Sequence, residues 1–209
     1  MPVLFVPEVA HGLVRHLVGA VSGGNLYRRS SFLVDAAGTQ IFPDWVDIDE
    51  RPHVKGGLRS SSFDAEGVAT RDAALIRAGV LERYVLGSYS ARKLGLETTG
   101  NAGGVRNLIF KPGERTFEQL LATMARGLVV TEVMGQGVNL VTGDYSRGAS
   151  GFRVEDGRIA HPVEEITIAG NLRDMFASLQ AAGSDPETRR NIQVPSLLVG
   201  EMTVASQDA

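Results

Sequence analysis

Apolar positions along the chain come in short runs separated by polar and glycine-rich stretches. The continuous apolar run at residues 3–6 predicts a short buried strand, and residues 128–134 predict a further, strong strand. Apolar residues at helical spacing predict a helix that begins at Pro7 and continues up to Gly23-Gly24. Strand patterns follow one another in runs instead of alternating with helices. This favours an α+β fold, a mainly antiparallel β-sheet with three or four helices packed against it.

Local signals predict the remaining elements. In the first half they are a hairpin over 31–42 with Gly38 in its turn, a strand over 79–87, a helix over 88–94 with a serine cap, and a strand over 105–110. A helix then starts at a Thr116–Gln119 capping box and ends at Gly127, and a hairpin over 151–162 turns at Asp156-Gly157. A strand over 163–169, a helix capped by Asn171 with a buried face reaching Leu179, and a closing strand over 196–204 complete the chain.

The stretch from Glu132 to Phe152 is the most unusual part of the pattern. It contains five of the 25 glycines between two apolar runs, with a cluster of hydroxyl and charged side chains inside it. Glycine at such density indicates positive φ or close backbone approach. The stretch could be a binding loop on a rigid scaffold, or a pair of strands joined by glycine-rich turns. As candidate peptide or interface contacts it offers Asp144, Tyr145, Ser146 and Arg147.

Residues 47–66 form a long polar stretch without a clear period. A loop of this length is uncommon without a function. Two interpretations stay open, a pocket lining or a mobile lid. The side chains concerned are His53, Arg59, Ser60 to Ser62, Asp64 and Glu66.

Composition narrows the function classes. The chain of 209 residues is long enough for one domain, or for one and a small extra piece. A net charge of −3 does not suggest a nucleic-acid surface, and Arg28-Arg29 and Arg189-Arg190 are interpreted as solvated pairs. The absence of cysteine excludes disulfides, thiolate metal ligands and a cysteine nucleophile. No run approaches the roughly 18 apolar residues of a membrane span, and the apolar start resembles an internal segment more than a signal peptide.

Motifs for a self-contained catalytic site are missing. The four histidines, at 11, 16, 53 and 161, form no HExxH motif, and GxSxG, GxxxxGK[ST] and GxGxxG are absent. His11 and His16 share the first predicted helix, but five residues place them about 140° apart around its axis. A spatial Ser-His-Asp site stays open. Residue chemistry alone indicates an α+β domain with two glycine-rich loops.

Several segments together resemble the C-terminal domain of the PmbA/TldE family, once described as modulators of DNA gyrase and related to the peptidase subunit TldD. The similarity is carried by PVLFVPEVAHGLVRHLVGAVSGGNLYRRSSFL at the start, SYSARKLGLETTGNAGG in the middle, GQGVNLVTGDYSRGASGF followed by VEDGRIAHPVEEITIAGNLRDM, and PSLLVGEMTVA at the end. These segments stand in family order and span essentially the whole chain. The resemblance implies that residues 1–209 are a single C-terminal domain and that an N-terminal domain belongs before it.

The resemblance also implies how the first helix should be interpreted. TldD holds zinc through a helix with an HExxxH pattern and a cysteine farther on. Here Glu8 is kept, Pro7 and Gly12 stand where the histidines would be, and His11 lies between them. This pattern implies a subunit with no catalytic residue and no metal of its own, with zinc in a TldD-like partner.

A cytoplasmic role in degrading or maturing small unfolded peptides is the activity that the resemblance implies. The expected partners are a TldD-like subunit in a heterodimer, a second copy in a homodimer, and peptide substrates, with no nucleic acid and no membrane. Glu8 joins the residues at 144–147 as a contact candidate. Two rival hypotheses remain, a self-standing metallopeptidase with a site at His11 and His16, and a gyrase-related binding module.

Overall fold

The computed structural model of the chain describes residues 1–205, which fall into two compact units. The first unit comprises Met1–Leu13, Pro112–Glu187 and the described residues from Val194 onward. The second comprises Val14–Lys111 and Thr188–Gln193. The assignment of residues 1–209 to a single domain stays a prediction.

Five helices lie within the described residues. They are α1 Pro7–Ala20, α2 Gly23–Tyr27, α3 Ser88–Leu94, α4 Phe117–Ala122 and α5 Leu172–Ala177. The predicted capping box is confirmed, because Gln119 N–H donates to Thr116 Oγ1 and Thr116 N–H donates to Gln119 Oε1. The cap of α5 is confirmed as well, since Asn171 Oδ1 accepts from the amide of Arg173 at 3.0 Å.

The first unit is built on a seven-stranded sheet in the order β12-β8-β7-β6-β1-β11-β9. The strands are β1 Val3–Phe5, β6 Arg126–Met134, β7 Asp144–Glu155, β8 Arg158–Asn171, β9 Leu179–Ala182, β11 Leu197–Val199 and β12 Thr203–Ala205. All pairs are antiparallel except β1 with β6. One core cluster of this unit joins the sheet to α4, and its buried members are Leu4, Leu120, Leu121, Met124, Val129, Val154 and Leu198.

The second unit has a five-stranded sheet in the order β10-β5-β2-β3-β4. Its strands are β2 Ile48–Glu50, β3 Ala73–Arg77, β4 Val80–Leu81, β5 Leu108–Phe110 and β10 Ile192–Gln193. Only the β5–β10 pair is parallel. The α+β class with mainly antiparallel sheet is therefore confirmed.

Several predicted elements are wrong in detail. Residues 31–42 are turns with one isolated bridge from Gln40 to Val80, not a hairpin. Gly127 lies inside β6 and does not end α4, whose C-cap is Thr123. The closing strand is divided into β11 and β12.

The predicted serine cap of α3 is wrong. Its N-cap is Gly87, which makes no side-chain cap hydrogen bond, and Ser88 is already helical. The first amide, Ser88 N–H, instead donates to Glu66 Oε2 at 2.7 Å. Hydrogen bonding to Ser88 lowers the pKa of Glu66, as expected for a carboxylate held at a helix N-terminus.

Candidate functional site

The first candidate set lies at the start of α1. Pro7 occupies the first helical position, where the lack of an amide proton is tolerated. The Val6 carbonyl accepts from the amides of Val9 at 2.9 Å and Ala10 at 2.8 Å, so the first turn is well formed. Val9 and Ala10 are buried while Glu8 is exposed. The acidic side chain therefore lies on the outer face of the helix.

His11 makes a local hydrogen bond on the same helix. Its Nδ1 lies 2.7 Å from the Glu8 carbonyl oxygen. A carbonyl oxygen only accepts, so Nδ1 carries the proton and in the neutral ring the lone pair is on Nε2. At Gly12 a Cβ would meet no heavy atom within 4 Å. Packing therefore leaves room for a side chain at Gly12.

A shared metal site at His11 and His16 finds little geometric support. Helix α1 runs without a break from Pro7 to Ala20, which keeps the two histidines about 140° apart around its axis. Across residues 1–205, no group of three or more His, Cys, Asp or Glu side chains is arranged to hold a metal ion. Within the described residues, side chains therefore do not assemble the three or four ligands that protein zinc sites use.

The second candidate set lies at the start of β7. Asp144 accepts from Thr142 Oγ1 at 2.6 Å and from Asn171 Nδ2 at 3.2 Å. Asn171 also donates to the Thr142 carbonyl and caps α5, and Gly143 has a φ of 86°. Asp144 thus helps to fasten the turn to the first residues of α5.

The three residues that follow Asp144 differ in exposure because side chains alternate along a strand. Tyr145 is buried, with 3% exposed, and burial raises the pKa of its phenol to about 12 against an opposing effect of the Arg147 charge. Ser146 is exposed, and its amide donates to the Gly137 carbonyl at 2.6 Å. Arg147 Nε donates to the Met134 carbonyl on β6 at 2.9 Å. Only Ser146 and Arg147 of these three reach an accessible surface.

The topology of the first unit brings the two sets to the same end of its sheet. Strand β1 runs parallel to β6 and pairs with it only as far as Val130, and the Val6 amide donates to the Val130 carbonyl at 3.2 Å. Beyond Val130 the chain after β1 turns into α1, while β6 continues to Met134 in its ladder with β7. Met134 lies roughly 13 Å farther along the strand. The edge of β6 over Thr131–Met134 therefore faces the side on which α1 begins.

The polar stretch 47–66 is more ordered than a lid would be. It contains β2, and Asp64 is buried with its carboxylate accepting from the amides of Glu66, Val68 and Ala102 at 2.9 to 3.0 Å. His53 Nε2 lies 3.1 Å from Thr70 Oγ1. Neither Asp64 nor Glu66 projects into a pocket as a free group.

A buried polar network in the second unit was missed by sequence reasoning. Glu50 is 3% exposed and accepts from Asn101 Nδ2, from Arg83 and from the amide of Arg106. Thr99 Oγ1 donates to Asn101 Oδ1 at 2.8 Å. No local sequence signal predicts this network, because Glu50 and Asn101, in the glycine-rich loop over 95–104, are about fifty residues apart in the chain.

Comparison with known proteins places this geometry in a family. The family model of the PmbA/TldA metallopeptidase C-terminal domain matches residues 1–206. The metalloprotease PmbA of Escherichia coli O157:H7 is 56% identical over 206 residues, covering 99% of this chain and 46% of the relative. A TldD homologue of Haemophilus influenzae is 24% identical and covers 98% of the chain and 48% of the relative. The chain spans about half the length of the curated relatives it matches.

Solved structures agree with the family match. A candidate modulator of DNA gyrase from Bacteroides thetaiotaomicron has a TM-score of 0.94 and 29% identity, covering 98% of this chain and 46% of the other. TldE from Thermococcus kodakarensis has a TM-score of 0.85 and 25% identity, covering 98% and 50%. In the described part of the chain no helix is long and apolar enough to cross a membrane. The chain belongs to the PmbA/TldD metallopeptidase family and corresponds to its C-terminal domain.

Proposed function

We propose that the chain is the metal-free subunit domain of a TldD/TldE-type zinc metallopeptidase that degrades or matures small unfolded peptides in the cytoplasm. The first turn of α1 is the observation that carries this proposal. Pro7 and Gly12 stand where the resemblance to TldD places zinc-binding histidines, and the chain has no cysteine. Gly12 has space around it, so packing does not account for the lack of a larger side chain there.

The zinc of the assembly would be supplied by a TldD-like partner, in which it would act as a Lewis acid and activate water. This chain's contribution would be to complete a chamber formed by the two subunits and to hold the peptide. Pairing with the partner would give a heterodimer, and self-pairing would substitute for it when the partner is absent. The conservation of the fold in TldE from Thermococcus kodakarensis supports this assignment.

The edge of β6 beside α1 is the part of this chain best suited to hold a peptide. An extended segment that adds to Thr131–Met134 would be recognised through its backbone, which tolerates many sequences. Arg147 Nε donates to the carbonyl of Met134, the last residue of β6. Ser146 and the neighbouring Asp144 are exposed close to that end and could contact peptide side chains.

Zinc content tests the proposal directly. The full-length protein, purified without chelator and without a histidine tag, should contain far less than one zinc per chain by elemental analysis. Peptidase activity on an unfolded peptide should then require a TldD-type partner. A value near one zinc per chain would contradict the proposal, and separate replacement of His11 and His16 would show which histidine holds the ion.

A further inference from the structure

One loop of the second unit presents large apolar side chains to solvent. Leu58 is 67% exposed and Phe63 is 61% exposed, the two highest values for large apolar residues in the described part of the chain. Val54, in the same loop, is 40% exposed. Single exposed apolar residues are common, but three within ten positions suggest an interaction surface. The segment 51–63 is called the docking loop below.

The docking loop is held by hydrogen bonds to one buried side-chain amide, that of Asn107. Asn107 is 2% exposed, and its Nδ2 donates to the Arg51 carbonyl at 3.0 Å and to Ser60 Oγ at 2.8 Å. Its Oδ1 accepts from the amide of Arg59 at 3.0 Å. A single side chain thus joins the beginning and the end of the loop.

Hydrogen bonds within the loop add to this order. The amide of Ser61 donates to the Pro52 carbonyl at 3.0 Å, and the amide of Gly57 donates to the Val54 carbonyl at 3.0 Å. A Cβ at Gly57 would lie 2.6 Å from Ser60 Oγ, so this close approach requires glycine. The exposed apolar side chains are therefore held outward by an ordered backbone, which lowers the entropy cost of binding.

The charge of the docking loop has one sign. Residues 51–63 contain Arg51, Lys55 and Arg59 and no carboxylate, although the whole chain carries a net charge of −3. Arg51 lies 3.5 Å from Asp49. Lys55 and Arg59 are exposed on either side of Leu58 in the sequence, and Arg59 also donates to the Gly103 carbonyl at 3.3 Å. A surface of this kind attracts acidic partners and repels basic ones.

We propose that the docking loop binds an acidic polypeptide segment whose apolar side chains pack on Val54, Leu58 and Phe63. Carboxylates of the segment would meet Lys55 and Arg59 at the rim. Aliphatic Val54 and Leu58 offer no platform for base stacking, which argues against single-stranded nucleic acid. Three side chains would bury too little apolar surface for stable membrane anchoring. The proposal is independent of the metallopeptidase assignment.

Fluorescence anisotropy with the full-length protein tests the proposal. The probe is a fluorescein-labelled peptide of about 14 residues with Leu and Phe spaced among Glu and Ser. Binding should be saturable and should weaken about tenfold or more in the double variant K55E/L58S, since it loses one apolar contact and reverses one charge. It should also weaken with added salt. Probes with Lys in place of Glu, or Ser in place of Leu and Phe, should bind far less tightly.

The matched control is R158E/I159S, which makes equivalent changes of charge and polarity at two exposed positions of β8 and should leave binding unchanged. Equal affinity of wild type and K55E/L58S would overturn the proposal. Sedimentation of the wild type, but not of K55E/L58S, with phosphatidylserine vesicles in the absence of peptide binding would assign the loop to a membrane instead. If K55E/L58S lowers Tm strongly and R158E/I159S does not, the docking loop contributes to the stability of the folded protein through its own packing, and the proposal is wrong.

Discussion

Asp64 was a candidate for a pocket lining, but its carboxylate instead holds three backbone amides in place. Its two carboxylate oxygens accept from three backbone amides, one of which belongs to the distant loop at Ala102. Burial acts to raise the pKa of Asp64, but the amide donors from Ala102, Glu66 and Val68, together with the nearby Arg106 charge, lower it below its usual value. The ionised form is therefore the one that the fold stabilises.

Replacing this carboxylate should alter both stability and its dependence on pH. A pKa that is lower in the folded state adds stability above the unfolded pKa, and this contribution is lost as pH falls through the folded value, below 3.8. In D64N a donor nitrogen replaces one accepting oxygen, so the free energy of unfolding at pH 7 should fall by about 1–3 kcal/mol. The decrease in the free energy of unfolding between pH 7 and pH 3, measured with urea, should be smaller in D64N than in wild type. D72N, at an exposed position, serves as the control. If D64N and wild type lose the same free energy of unfolding between pH 7 and pH 3, the lowered pKa of Asp64 is contradicted.

Some elements with strictly local signals were predicted correctly from the sequence. Asp156 and Gly157 have φ of 48° and 74°, the positive values that a type I′ hairpin turn requires. The Thr116 capping box and the Asn171 cap are formed as predicted, because each is satisfied within three residues of the chain. Such features depend on neighbours in sequence and not on the rest of the fold.

Elements that depend on distant partners could not be predicted. Strand β2 has three residues and exists because it pairs with both β3 and β5, which follow far along the chain. Residues 31–42 have a hairpin pattern but form turns, and the amides of Ala36 and Ala37 donate to the hydroxyl of Tyr84. Tertiary contacts override β propensity there.

Two glycines of β7 give a matched test of strand packing. A Cβ at Gly151 would lie 1.9 Å from the Val129 carbonyl oxygen of β6, whereas at Gly148 the nearest atom would be Met134 Cβ at 3.6 Å. G151A must open the β6–β7 ladder and should lower the free energy of unfolding by about 3 kcal/mol. G148A should change it by no more than about 0.5 kcal/mol. Denaturant unfolding measures both free energies, and equal effects of the two substitutions would contradict the close approach of β6 and β7 at Gly151.

At the scale of the whole molecule, the candidate site was only partly accessible to sequence reasoning. The residues at 144–147 could be identified by their position among glycines, but their link to Asn171 follows from the β7–β8 ladder. The nearness of α1 to the free edge of β6 follows from a parallel pairing with β1 across more than a hundred residues. Periodicity describes faces of elements and does not reveal which faces meet.

Metal binding to the folded chain would be visible in its thermal stability. A ligand that binds only the folded state stabilises it by about 2.7 kcal/mol at one hundred times its Kd, which for a chain of this size raises Tm by roughly 5–10 °C. Since no group of three or more His, Cys, Asp or Glu side chains in the described residues is arranged to hold a metal ion, Tm by scanning calorimetry should change by less than about 1 °C when EDTA is added or replaced by Zn²⁺. His11→Ala and His16→Ala, measured separately, provide the matched variants. A Tm that rises with Zn²⁺ in the wild type and in neither variant would establish a histidine metal site on α1 and would contradict the proposal of a metal-free subunit.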